Sequence, residues 1–350
     1  MDKIIPSYSD PLFSIFIIVL LILVVATVSF FVGNYKESID KRYLKKFIGA
    51  MSIEETNGFN IDDLNFSKNL VEPLFLVAKS LANSGDYRNS ILIYIYLIEH
   101  LDRFYEQEPI LVELGNCYLR AGFLTKAERT YLEILRKHPR NIDVLYNLEF
   151  VYELLHDYSK AKDVLLPLET LDEDVNRLKV HIELSSVINS LTVKHIDRVE
   201  QISRFVSYNF VYRRVIKALF HLDAKMAWRV LRVDKVEEIL DILWLLPSSN
   251  LDLDIIYSSD ILKSIYIAKG ILELEDGKAP ISNIFTVDTI NYAKEGGCCN
   301  LDISFSYICC VCKQHFPLSF DRCPRCYSID SLQIKDTISK KELYSGFSLL

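Results

Sequence analysis

The chain has 350 residues, 50% of them hydrophobic and 25% charged, a balance that excludes a wholly disordered protein. Its net charge is −7, with no basic block outside one short flank, which argues against a protein that grips nucleic acid through its phosphates. With 11 Gly and 10 Pro in the whole chain, long helices are favoured over many short strands joined by turns.

After a short N-terminal stretch, residues 1–11, the segment Leu12 to Val32 carries only Ser14, Thr27 and Ser29 as polar interruptions and no charge. A helix of about 20 residues, rising ~1.5 Å per residue, spans a hydrocarbon core of about 30 Å, so residues 12–32 are predicted to be a transmembrane helix. A cleaved signal peptide has a basic start, a shorter apolar core and a small-residue cleavage site. Here the flank holds Asp2, Lys3 and Asp10, and the run ends in Phe30, Phe31 and Val32. A retained anchor is the expectation. Lys3 alone precedes the run, whereas Lys36, Lys41, Arg42, Lys45 and Lys46 follow it. The positive-inside bias therefore predicts a single pass, with the N-terminus outside and the C-terminal bulk in the cytoplasm. Residues 33–70 read as a juxtamembrane helical linker.

Residues 71–175 carry tetratricopeptide spacing. Leu111-Val-Glu-Leu-Gly-Asn-Cys-Tyr118, then Gly122, Ala127, Tyr131, Leu135 and Pro139, fit a two-helix unit over Glu108–Asn141 at a period of about 34 residues. Gly115 and Ala127 are small where two helices approach closely, Leu114, Tyr118 and Tyr131 fill the seam, and Pro139 stops the second helix. Ala78, Leu81, Gly85, Tyr87, Ser90, Tyr94 and Leu97 form a similar unit before it. Leu145, Leu148, Tyr152, Ala161, Leu165 and Leu168 form one after it. Through residues 176–275 helical periodicity persists in Val199–Leu222 and Val236–Leu246 while the signature dissolves, which predicts degenerate helical repeats. Val236–Leu246 is too short for a second span and contains three acids. Stacked hairpins offer a concave surface for protein partners.

Residues 276–306 read as a connecting segment, 307–330 as paired metal-binding knuckles and 331–350 as a tail. Seven of the 8 cysteines lie between Cys298 and Cys326, whereas a disulfide framework spreads its thiols along the chain. Cys309-x₂-Cys312 and Cys323-x₂-Cys326 are separated by ten residues, and two such turns supply a tetrahedral S₄ set for one zinc or iron ion. Closed S₄ sites leave no position for water, so Lewis-acid hydrolysis is not expected. A structural staple is favoured, with a rubredoxin-type electron carrier as the alternative if the ion is iron. Cys310 would give a C-x-C pair with Cys312 that fits the turn poorly. Cys298 and Cys299, after Gly296-Gly297, are spare ligands or, more in keeping with a reducing cytosol, unpaired thiols. Cys117 sits within a repeat helix as a core residue, and His315 reads as a metal contact or, with four thiolates at hand, as a cap on the ribbon loop. Catalytic-triad, P-loop and HExxH patterns are absent, so no enzymatic activity is expected. The fold class is mainly α: a transmembrane helix, a tetratricopeptide-type α-solenoid and a small rubredoxin-like or zinc-ribbon domain.

The order anchor, repeats, knuckles, carried by Leu12–Val32, the repeat positions above and Tyr307, Cys309, Cys312, Cys323, Pro324 and Cys326, resembles the lipopolysaccharide assembly protein B family of Gram-negative bacteria. That resemblance implies a non-enzymatic adaptor of the inner membrane. Such an adaptor presents the deacetylase that commits sugar nucleotide to lipid A to a membrane AAA protease, with the four knuckle cysteines as metal ligands. A generic repeat scaffold for another membrane assembly is the other reading. Where the family commonly has Gly after the first C-x₂-C, to supply a positive φ, this chain has Lys313.

Overall fold

The computed structural model describes residues 66–190, 192–274 and 277–341, and Thr27. The expected membrane anchor and its basic flank thus lie outside the described residues, apart from Thr27. Among the described residues no helix is long and apolar enough to cross a membrane. The chain divides at Val151/Tyr152 into two compact units.

The first unit is built from helical hairpins. Helices α1 (Val71–Ser84), α2 (Tyr87–Glu99), α3 (Phe104–Arg120) and α4 (Leu124–Lys137) pack in chain order, each against the next, and α5 (Ile142–Leu154) follows. Close approach needs small side chains at the crossings. Ala78, Ser90 and Ala127 are fully buried there, and the Ser90 hydroxyl donates 2.8 Å to the Ala78 carbonyl. The helix-ending turns are one device repeated. Gly85, Gly122 and His156 hold φ of 90°, 79° and 58°, and the next amide reaches back five residues at 2.9 Å: Asp86 to Leu81, Phe123 to Tyr118, Asp157 to Tyr152. This satisfies carbonyls that a helix end leaves orphaned. Asp86 and Asp157 then cap the following helices by accepting the amides of Asn89 and Lys160. As expected, α4 ends just before Pro139.

The second unit comprises α6 (Tyr158–Thr170), α7 (Asn176–Ile188), α8 (His195–Ser203), α9 (Tyr212–Leu222), α10 (Ala224–Val230), α11 (Leu240–Leu245), α12 (Leu253–Tyr257), α13 (Asp260–Lys269), α14 (Phe285–Glu295) and a three-stranded sheet. The stretch read as degenerate repeats is helical but cut into short pieces, with 3₁₀ segments such as Val233–Ile239 between them. Its core gathers Tyr212, Trp228, Leu243, Trp244, Ile265 and Tyr266. The buried Trp228 indole donates 2.7 Å to the Asn250 carbonyl, so the aromatic body is sealed without stranding its polar end. The boundary between the compact units falls after Val151, within α5. Residues from Tyr152 onward belong with the second unit because Glu153 is tied to His181 and Arg322.

Strands β1 (Leu301–Cys309), β2 (His315–Phe316) and β3 (Leu332–Lys340) form an antiparallel sheet in the order β2-β1-β3. The ribbon therefore reaches beyond the expected 307–330 at both ends. β1 begins in what read as a connecting segment, which also contains helix α14, and the expected tail supplies β3. The physical reason is a period-2 pattern: Leu301, Ile303, Phe305 and Tyr307 alternate with Asp302, Ser304 and Ser306, the pattern of a half-buried strand.

Candidate metal centre

Two copies of one turn present the four thiols. In the first, the Cys309 amide donates 3.0 Å to Gln314 and the Lys313 amide returns 2.9 Å to the Cys309 carbonyl. In the second, the Cys323 amide donates 2.9 Å to Ser328 and the Tyr327 amide 3.0 Å to the Cys323 carbonyl. The residue after each second cysteine is left-handed: Lys313 at φ 58° and Tyr327 at φ 59°. Thus the turn keeps its geometry without the glycine that favours it. Within the first knuckle the Cys312 amide also points at the Cys309 Sγ, 3.5 Å away.

These turns bring Cys309, Cys312, Cys323 and Cys326 together, with all four sulfurs within 4.8 Å of one another. Cys309 and Cys326 Sγ are 3.6 Å apart, and Cys312 and Cys323 Sγ 3.7 Å. Bonds of about 2.3 Å to a tetrahedral ion place its sulfurs about 3.8 Å apart, so the donor set fits a thiolate-bound ion. Cys309 and Cys323 are buried. Burial pushes the Cys309 thiol up, but the Ser331 and Ser328 hydroxyls and the amides of Cys312 and Val311 outweigh it and hold it at about 5. Burial pushes the Cys323 thiol up to about 12. A set of four close thiols cannot ionise fully by itself, and a bound cation displaces the remaining protons. Four thiolates fill a tetrahedral ion's coordination, so the group would supply a folding staple or, as iron, a one-electron centre.

The other thiols lie elsewhere. Cys310 is exposed, its amide spent on the Ser331 carbonyl at 2.7 Å. Cys298 and Cys299 are exposed just before β1, whose nine residues separate them from the knuckle; a strand of that length extends roughly 30 Å, so they are not spare ligands. His315 lies exposed on β2, outside the cluster. Cys117 is buried in α3, its thiol 3.6 Å from the Ser90 hydroxyl.

Sequence reasoning missed the residues that fasten the ribbon to its helices. Tyr307 donates 2.7 Å to Asp241, and Arg213 grips both oxygens of the same carboxylate. The Trp244 indole donates 2.9 Å to Asp302, and the Thr286 hydroxyl bonds Asp336. Arg322, next to Cys323, donates 2.8 Å to Glu153, whose other oxygen accepts from His181 at 2.8 Å. Burial raises the Glu153 carboxyl, but His181 and Arg322 outweigh it and hold it below its ordinary range. Burial holds the His181 imidazole down. The available signal was Asp241, an acid within the apolar run Val236–Leu246, since a buried charge is found partnered.

No protein-family model matches the chain. It is similar to Lipopolysaccharide assembly protein B of Escherichia coli strains K12, O6:H1 and O157:H7, at 24% identity over 140 residues. The alignment covers 39% of this chain and 36% of each relative, so the chain spans about a third of the length of the relatives it matches. Those relatives are named for assembly and not for a reaction.

Proposed function

We propose that this chain is a membrane-anchored, non-enzymatic adaptor in lipopolysaccharide assembly, holding one zinc or iron ion in its C-terminal knuckles. The observation that carries it is the four-thiol cluster fastened to a helical body, in a chain similar to proteins named for that assembly. In this reading residues 12–32 anchor it in the inner membrane with the bulk in the cytoplasm, and the repeat-like hairpins, of tetratricopeptide type, hold protein partners. The partners are a membrane AAA protease and the lipid A deacetylase, so that the adaptor limits lipid A synthesis by delivering the deacetylase for degradation. Removing the chain from its own cell should raise deacetylase abundance and lipopolysaccharide together. If neither moves, the reading is wrong.

The ion is read separately, by metal analysis of the purified full chain. One equivalent of zinc assigns a structural staple. Iron with a visible absorption that bleaches reversibly on reduction assigns an electron carrier instead.

A further inference from the structure

Three thiols lie exposed outside the metal set, Cys298, Cys299 and Cys310, and the first two are chain neighbours. Cys298 and Cys299 sit in the turn between α14 and β1, and that turn is tied at both ends. The Cys298 amide donates 2.8 Å back to the Ala293 carbonyl, and the Asn300 carbonyl accepts 2.8 Å from the Lys341 amide. The two thiols are therefore presented together on a held stretch of surface. A cation is held there with them. Lys294, in the last turn of α14, donates 2.7 Å to the Ile267 carbonyl, and its ammonium interacts electrostatically with Cys299 and with Lys341. The thiolate is the form of cysteine that an oxidant attacks, and a neighbouring ammonium favours it. Oxidant-sensing cysteines share these features: solvent access, a nearby positive charge and a second thiol to resolve the first product.

We propose that Cys298 and Cys299 form a redox-responsive modification site, which hydrogen peroxide closes to a disulfide between the two neighbours. The Cys299 thiolate attacks one peroxide oxygen: an S–O bond forms, the O–O bond breaks, and the departing hydroxide takes up a proton as water. Cys299 is then a sulfenic acid. The Cys298 sulfur attacks it, an S–S bond forms, the S–O bond breaks, and hydroxide leaves with the Cys298 proton as a second water. Two thiols are oxidised and one peroxide is reduced. A solitary exposed thiol goes on to sulfinic acid, which cellular thiols do not reverse, whereas a resolving neighbour stops the sequence at the disulfide. Adjacent Cα atoms stand about 3.8 Å apart, nearer than the roughly 4.4–6.8 Å of an ordinary bridge. A bond strained in that way is readily reduced, so glutathione reopens it. This site goes beyond the lipopolysaccharide reading, and its failure would leave that reading standing.

The test adds an equimolar amount of hydrogen peroxide to the reduced, metal-loaded full chain, blocks the remaining thiols with N-ethylmaleimide and cleaves before aspartates. The peptide Asp288–Leu301 then carries Cys298 and Cys299 and no other cysteine. The expected mass is that of the unalkylated peptide less two hydrogens, with full alkylation restored by reduced glutathione and the metal content unchanged throughout. Cys298→Ser should abolish the disulfide and leave Cys299 as a sulfenic acid that dimedone labels, while Cys310→Ser should behave as the parent. All three side chains are exposed, so these variants keep the fold. A peptide alkylated at both cysteines after peroxide overturns the proposal. So does a bridge from either cysteine to Cys310 or to a second chain. Oxidation of the knuckle thiols with loss of the ion, while Asp288–Leu301 stays reduced, would make the staple the point that oxidants reach first and overturn it too.

Discussion

Lys313 occupies a backbone well that costs a side chain about 1–2 kcal/mol and a glycine almost nothing. Its φ of 58° is imposed by the knuckle, since the Lys313 amide must return to the Cys309 carbonyl. Lys313→Gly should therefore stabilise the ribbon by about 0.5–1 kcal/mol once the entropy of the freer unfolded chain is subtracted. Slower loss of metal to a chelator would report it; faster loss would mean that the lysine side chain contributes something the turn geometry does not. Gly115 is the opposite case, a glycine required by space. A Cβ there would stand 2.9 and 3.0 Å from two atoms of the Tyr131 ring. That ring cannot swing aside, being fully buried with its hydroxyl donating 2.8 Å to Asn116. Gly115→Ala should cost about 1–3 kcal/mol as overpacking, read as a lower midpoint in urea, with Gly296→Ala, at φ −80° and with its nearest neighbour 3.5 Å away, as the comparison.

At the scale of elements, the second knuckle is held by a buried charge cluster whose titration has a definite sign. His181 is neutral in the fold because burial holds its pKa below the ordinary 6.5, with Glu153, Arg214 and Arg322 around it. As pH falls below about 6.5, the unfolded chain takes up a proton that the folded His181 refuses, so stability declines at up to about 1.4 kcal/mol per pH unit. Glu153, held low, contributes stability above about 4.5 that is lost further down. Both effects run the same way. Full-length His181→Gln, whose amide can still donate to Glu153, should flatten the dependence of unfolding midpoint on pH between 7 and 5.5; an unchanged slope would locate the acid sensitivity elsewhere. This cluster also marks where sequence reading stopped. Paired C-x₂-C turns and the Gly115–Tyr131 seam are local patterns, legible because a turn or one helix crossing fixes them. Strands β1 and β3 are legible in their alternation, although residues 276–306 read as a connecting segment and 331–350 as a tail. The contacts of Glu153 with Arg322, 169 residues apart, and of Asp241 with Tyr307, 66 apart, depend on how α9, α11 and the sheet come together, which no local spacing encodes.

For the molecule as a whole, the two compact units should respond differently to loss of the ion. An S₄ staple contributes its binding free energy to folding only where the ligands are brought together, and here the ligands sit in a sheet that makes up part of the second unit's packing. Unligated, four close thiols leave Cys323 protonated and buried beside thiolates, and the turns lose what draws them together. The loosening should then pass along the bonded contacts: from Arg322 to Glu153 and His181, and from Tyr307 to Asp241 and Arg213. Hydrogen exchange on the full chain, with and without a strong chelator under reducing conditions, should show lost protection first in β1 to β3, then in α7 and α9. Helices α1 to α4 should be unchanged, because their protection comes from hairpin packing around Ala78, Ser90, Ala127 and Tyr131. Cys323→Ser should reproduce the chelated pattern without chelator, while Cys310→Ser, outside the cluster, should match the parent. If exchange rises equally in α1 to α4, the ion stabilises the chain as one cooperative block. If it rises in the ribbon alone, the bonds of Arg322 and Tyr307 transmit nothing and the sheet is held to its helices by apolar packing.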